Sequence, residues 1–138
     1  MDKVAVLVDT VKGNTKRVAA AIAEELGVGL GDIKKPVPDA EILFLGSGTY
    51  GGSPGYYMHL LLRDGKFSGK KIALFATAGQ IKDGKKMVNT MAETLEKKGA
   101  TILRTADSTG KVIAVRFRHP HQEDLDAARQ WAREIMGK

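Results

Sequence analysis

At 138 residues, with 43% hydrophobic and 28% charged residues, the chain has the composition of one water-soluble domain large enough to bury a core. It has no cysteine, which excludes thiol catalysis, iron–sulfur ligation and disulfide staples, and with them the small cysteine-dependent phosphatases. No apolar run approaches the ~20 residues of a membrane span and no signal-peptide layout opens the chain, so a cytoplasmic location is expected by default.

The net charge of +6 is unevenly placed. Residues 63–118 hold 13 basic and 5 acidic groups, a local excess of +8, while the flanking segments are nearly balanced. Such a field favours anionic ligands or acidic partners and weakens with salt. Nucleic acid is the rival reading of a basic segment. However, aromatic residues make up only 6% and none is interleaved with the lysines, so no stacking platform is visible and nucleic acid is not expected as a partner.

Taken in order, the apolar run Val4–Val8 predicts a first strand over about Lys3–Val8, and Asn14–Leu26 a first helix with Val18, Ile22 and Leu26 on one face. Gly27, Gly29 and Gly31 frame a weakly marked second strand near Val28–Ile33. Pro36 and Pro38 precede a third strand, Glu41–Gly46, apolar on both faces as a central parallel strand is. A loop, Gly46–Gly55, leads to a short helix near Tyr56–Arg63. The fourth strand is Lys71–Thr77, the next helix about Gly84–Lys98, and the fifth strand about Thr101–Thr105. Gly110–Phe117 either extends the sheet or crosses its end as a loop, and Gln122–Met136 forms the last helix. The alternation predicts a single α/β domain over residues 1–138: a doubly wound, open, parallel five-stranded sheet with helices on both faces.

In such sheets ligands bind beyond the carboxyl ends of the strands. Three loops lie there: Asp9–Thr15, Gly46–Gly55 and Ala76–Asp83. The first places Gly13, Asn14 and Thr15 at a helix N-terminus, where free N–H groups and the helix dipole suit a phosphate. It matches neither G-x-x-x-x-G-K-[ST] nor G-x-G-x-x-G, so an ATP-type loop and a dinucleotide fingerprint are not expected. Hydroxyls of Thr10 and Thr15 and the amide of Asn14 would instead surround one phosphomonoester. The second loop, "GSGTYGGSPG", offers Tyr50 on a backbone freed by Gly48, Gly51 and Gly52. The third, opening with "ATAGQ", offers small residues and main-chain groups for the polar edge of a flat ring. Together they suit a ring carrying a phosphorylated side arm.

These motifs resemble those of the flavodoxin family. "TVKGNT", Thr10–Thr15, matches five of six positions of the family's T-x-T-G-N-T loop, counting the free one. "GSGTYGG" resembles its "GSPTYGG", "ALFATAG" its "ALFGTG" strand ending, and the segment from His119 its last helix. The resemblance covers about residues 3–136. It implies the flavodoxin strand order 2-1-3-4-5 and a noncovalently bound FMN whose own chemistry moves electrons between partner proteins, with no catalytic side chain required. It would assign Thr10, Lys12, Gly13, Asn14 and Thr15 to the phosphate. Thr49, Tyr50 and Gly51 would flank the isoalloxazine, and Thr77, Ala78 and Gly79 would meet its ring edge.

The chain departs from that family in three ways. Lys12 replaces a hydroxyl residue in the phosphate loop, its ammonium offering a direct charge contact. The ring-edge loop carries no aromatic, which leaves the outer ring face open to a stacking, quinone-like substrate unless Tyr56 or Tyr57 covers it. Lys82, Lys85 and Lys86 follow the ring-edge loop where relatives are acidic, so partners with an acidic docking face and a less negative potential for the reduced flavin are expected. Two further readings stay open: an FMN-dependent reductase of a small planar substrate, and a flavodoxin-shaped binding module that has lost the cofactor. Asp9 invites a phospho-acceptor reading, but Leu45 and Gly46 stand where that site needs a second acid. His119 and His121 form an H-x-H pair without a third ligand, so no metal site is expected. His59, Trp131, Met87 and Met91 are read as structural.

Overall fold

A computed structural model describes residues 3–10, 13–50, 52–103, 112–116 and 122–137. Five strands form one parallel sheet: β1 (Val4–Asp9), β2 (Ile42–Gly48), β3 (Lys71–Ala78), β4 (Thr101–Ile102) and β5 (Val112–Arg116). Four helices cover it: α1 (Asn14–Leu26), α2 (Tyr56–Asp64), α3 (Ile81–Lys97) and α4 (Gln122–Ile135). β1 pairs with β2 and β2 with β3, all in parallel. β4 and β5 both pair with β3, β4 along Lys71–Ile72 and β5 along Leu74–Ala78, so they are two pieces of one edge position.

The apolar residues sort by strand alternation into two cores. Leu43 and Leu45 of β2 face Met58 and Leu61 of α2 and Met87 and Met91 of α3. Ile42 and Phe44 face the other way, toward Val18 and Ile22 of α1 and Ala128 and Trp131 of α4. Every residue of β2 is buried, as a strand covered on both faces must be. Trp131 packs edge-on against Phe44, with ring centroids 5.6 Å apart, and Arg133 on α4 pairs with Glu25 on α1 at 3.0 Å.

The doubly wound expectation holds, with differences at the sheet's edges. The segment expected as a second strand, Val28–Ile33, contributes one parallel bridge, Val6 to Leu30, supported by Gly31 N–H donating to the Val6 carbonyl at 2.9 Å. Three alternating glycines hold too little side-chain surface to pack a longer strand there. The bridge still lies on the outer side of β1, so the order along the sheet is Leu30 segment, β1, β2, β3, then β4 and β5. The fifth strand shortens to Thr101–Ile102, with Arg104 and Thr105 outside the described residues. Of the two readings of Gly110–Phe117, the sheet extension is the one found, over Val112–Arg116. α3 begins at Ile81, three residues before Gly84, because Asp83 in its first turn complements the helix dipole and Gly84 is tolerated inside the helix, where it is buried.

Candidate functional site

From β1 the chain runs outward through α1 to the Leu30 bridge and then returns to β2 on β1's other side. Strand order therefore reverses between β1 and β2, and their carboxyl ends flank the crevice where such sheets bind ligands. The parallel register brings Asp9 opposite Ser47, Gly48 opposite Thr77, and Ala78 opposite Arg116, so four strand ends meet in one row.

Gly13 occupies the N-cap of α1 at φ +84°, a left-handed conformation that favours glycine. Its N–H donates to Thr10 Oγ1 at 3.1 Å, which folds the loop back on itself. Among the described residues no side-chain cap bond forms at Gly13 and no acid lies in the first turn of α1, so the first turn supplies no counter-charge to the helix's positive end. Thr15 is buried, and its hydroxyl meets that of Thr77 on β3 at 2.6 Å. Of the five expected phosphate-loop residues, Thr10, Gly13, Asn14 and Thr15 stand together here; Lys12 lies outside the described residues.

The second loop is held from below by two buried polar side chains. Ser47 accepts a hydrogen bond from Gly55 N–H at 2.9 Å and donates to the Gly48 carbonyl at 2.8 Å. The Asp9 carboxylate accepts from Met58 N–H at 2.9 Å, at the first turn of α2. Gly55 is required beside it: a Cβ there would stand 2.4 Å from Asp9 Oδ2. Above these supports, Tyr50 and Ser53 exchange backbone hydrogen bonds of 2.8 and 3.1 Å around Gly52 at φ +84°. Tyr50 is half-buried, with its phenol end over Gly48. Gly51 lies outside the described residues.

Thr49, Gly52, Ala78, Gly79, Asp83 and Lys86 line an open pocket of about 200 Å³ between the second and third loops. Thr49 N–H donates to the Thr77 carbonyl at 3.0 Å, yet Thr49 Oγ1 is buried with no hydrogen-bond partner among the described residues. An unpaired buried hydroxyl costs free energy unless a ligand group completes it. Among the expected ring-edge residues, Ala78 and Gly79 line this pocket, whereas the Thr77 side chain is turned inward to Thr15. Tyr56 and Tyr57 do not line it: Tyr56 belongs to a groove between α2 and α3 with His59, and Tyr57 sits beneath Lys34 Nζ at 4.8 Å. His119 and His121 lie outside the described residues. Met87, Met91 and Trp131 are core, as read.

Sequence reading pointed to Lys86 but missed Ser47 and the capping role of Asp9. Ser47 did leave a signal, a lone hydroxyl inside an otherwise apolar strand. Asp9 left none, because its partner is 49 residues away.

Residues 5–116 match the family model of the flavodoxin domain. The chain belongs to the flavodoxin family. Among solved structures this flavodoxin domain is similar to Fusobacterium nucleatum flavodoxin bound to flavin mononucleotide. The two share 17% identity at a TM-score of 0.79, over 99% of this chain and 98% of that one. It is also similar to flavodoxin 2 of Bacillus cereus (20% identity, TM-score 0.78, 98% of each chain). An uncharacterized protein of Methanocaldococcus jannaschii is 27% identical over 135 residues, covering 89% of this chain and 90% of that protein. Among the described residues no helix is long and apolar enough to cross a membrane, and no cluster of potential metal ligands occurs.

The residues present fit FMN. A helix end without cap or counter-charge suits the phosphate, and the unpartnered Thr49 hydroxyl beside small residues suits the polar edge of a ring.

Proposed function

We propose that this flavodoxin-family chain binds FMN and serves as a cytoplasmic electron carrier between proteins. The observation that carries the reading is the pairing, at one end of the sheet, of the uncapped α1 terminus with a pocket that leaves Thr49 Oγ1 unsatisfied. The flavodoxin of Fusobacterium nucleatum, similar over nearly its whole length, is described as bound to flavin mononucleotide, which supports the same ligand here. When bound, FMN would supply the electron transfer. The chain's own residues bind and orient it: Thr10, Gly13, Asn14 and Thr15 toward the monoester, with Lys12 adding charge; Thr49, Tyr50 and Gly51 toward the ring; Ala78 and Gly79 at its edge. Lys82, Lys85 and Lys86 are exposed at the start of α3, Lys86 on the pocket wall, and favour partners with an acidic docking face.

Titration of the purified chain into FMN, followed by flavin fluorescence and visible absorbance, tests the reading. Quenching with a sub-micromolar to micromolar midpoint is expected. A chain that is colourless and leaves FMN fluorescence unchanged would overturn it and favour a module that has lost the cofactor.

A second reading, reduction of a small planar substrate, is favoured by the pocket's open side. Its third-loop wall is Ala78, exposed Gly79 and Asp83, with no aromatic plate among the described lining residues. Multiple turnovers of a quinone by the holoprotein supplied with a nicotinamide electron donor would select this reading over the carrier; a single stoichiometric reoxidation of the reduced holoprotein, with no turnover when the donor is present, would select the carrier.

A further inference from the structure

A groove of about 690 Å³ lies between α2 and the segment that leads from the Leu30 bridge to β2. Half-buried Ile33 and Val37 form one wall, and half-buried Leu60 with buried Leu61 forms the other. No residue of the phosphate loop, the Tyr50 turn or the third loop is among its described lining residues. It is therefore distinct from the crevice at the carboxyl ends of the strands. Tyr57 stands on its margin, 38% exposed, one of two large hydrophobic side chains that the described residues leave open to water. Volume and aliphatic walls are those of a small-molecule pocket, which takes its specificity from a few polar groups.

Those polar groups are mostly cations. Lys34, Lys35 and Lys66 line the groove, and Asp64 is the acid on its wall. Asp64 is met by Arg63, whose Nε and Nη2 each donate to its carboxylate at 2.9 Å. The last carbonyls of α2 are met as well: Lys98 Nζ donates to those of Arg63 and Gly65 at 2.7 and 3.3 Å. None of the three groove lysines forms an ion pair among the described residues, and Lys34 Nζ lies 4.8 Å from the Tyr57 ring centroid. Lysine heads stay in water while their stems cover apolar surface, so the groove has apolar walls under a positive rim. Apart from the Tyr57 phenol, its described lining residues offer no neutral polar side chain to a sugar, a nucleobase or a peptide group. A second copy of the chain would bring the same three cations against this rim.

We propose that the α2 groove binds a small aromatic carboxylate, its ring between the aliphatic walls beside Tyr57 and its carboxylate among Lys34, Lys35 and Lys66. A flat ring suits contact with an exposed tyrosine, by face or by edge. A single carboxylate suits separate, flexible point charges better than a planar, two-pronged anion does. Burial of the ring supplies most of the affinity, and the exposed charges supply the selectivity. The site stands apart from the residues assigned to FMN and does not depend on that reading.

2-Naphthoate serves as the probe, and uncharged 2-naphthamide, of nearly the same shape, as its control. Both are titrated into the full chain in excess FMN by calorimetry, with amide chemical shifts recorded in parallel. One equivalent of 2-naphthoate is expected to bind in the tens to hundreds of micromolar, moving the amides of residues 33–37 and 57–66. 2-Naphthamide should bind about three- to ten-fold more weakly, the effect of exposed charges. Lys35→Gln combined with Lys66→Gln should remove most of that difference and leave 2-naphthamide binding unchanged. Leu60→Glu places a like charge in the groove and should weaken 2-naphthoate by about ten-fold or more. Should that variant fail to fold by circular dichroism, Leu60→Ala should weaken both probes alike, by about three-fold.

No binding of 2-naphthoate at millimolar concentration, equal affinity for the two probes, or shifts confined to other surfaces would overturn the proposal. So would tighter binding of decanoate, which would assign the groove to acyl chains. Concentration-dependent shifts at the groove without probe would assign it to a second copy and overturn it too. In a chain that binds no FMN the amide shifts still locate the probe, so the two readings fail separately.

Discussion

Lys86 is the cation on the wall of the pocket assigned to the flavin ring, and its neutralisation gives a direct electrostatic test of that assignment. The change is Lys86→Gln, which keeps the stem and removes the charge. In a pocket of about 200 Å³ a wall charge lies close to whatever fills the space. At a separation of roughly 7 Å and an effective dielectric of about 20, Coulomb's law gives about 2.4 kcal/mol. Lys86 is exposed, so water and salt reduce the net effect to about 0.5–1 kcal/mol. For a one-electron step that is about 20–40 mV. Reduction adds negative charge to the flavin, which a nearby cation stabilises. Removing the cation should therefore lower the more negative of the two FMN potentials by about that amount, and less at high salt. A spectroelectrochemical titration of parent and variant reads the difference. No shift at low salt, or a shift toward less negative values, would refute both the sign and the placement of the ring beside Lys86.

Three further outcomes are expected. Asp9→Ala removes the acceptor of Met58 N–H and should cost about 1.5–3 kcal/mol, with faster amide exchange in the first turn of α2; an unchanged melting temperature would refute the capping role. Gly46→Ala would place a Cβ 2.1 Å from Phe75 Cε2 in the core. It should destabilise by about 1–3 kcal/mol or more in urea unfolding, with Phe75→Leu recovering part of the loss; strict additivity of the two changes would refute the clash. At the exposed end of α2, the hydrogen bond and charge of Arg63 hold the Asp64 carboxyl below its usual range. Whatever stability this gives is present above the ordinary carboxylate range and lost as pH falls through the lowered value. Because both side chains are exposed, Asp64→Asn should leave the melting curve at neutral pH unchanged; a clear drop would show that the pair is coupled to the core.

The elements legible in the sequence were those whose ends and faces are decided locally. α1 runs from Asn14 to Leu26 as read, because Gly13 and Gly27 take left-handed conformations at its two ends. β2 and β3 were legible as unbroken apolar runs, which a doubly covered parallel strand requires. The edges were not. Whether Val28–Ile33 pairs as a strand depends on what β1 offers it, and the glycines reduce it to the Leu30 bridge. β5 depends on β3 in the same way: "GKVIAVRF" carries strand propensity but nothing that says which strand it joins. At the site, the three loops were legible because glycine and hydroxyl residues cluster after strands. The contacts that join the loops were not, since Thr15 and Thr77 share no local pattern and meet only through the sheet's register.

Burial marks the same end of the sheet without reference to any motif. Among the described residues the buried polar and charged residues are Asp9, Thr15, Ser47 and Thr77. Each would cost free energy in a dry interior unless hydrogen-bonded, so a fold with freedom to choose would place apolar residues there. All four lie at the carboxyl ends of β1, β2 and β3 or in the first turn of α1, and each makes a hydrogen bond to a different element: Asp9 and Ser47 to the start of α2 and the loop before it, and Thr15 and Thr77 to each other. Asp9 fixes α2, Ser47 fixes the turn around Tyr50, and the two threonines join the phosphate and ring loops. Stability alone would be served as well by apolar packing. A set of polar pins at one sheet end is what holding three loops in a fixed mutual geometry requires, and a planar ligand with a charged arm is what such a geometry can grip.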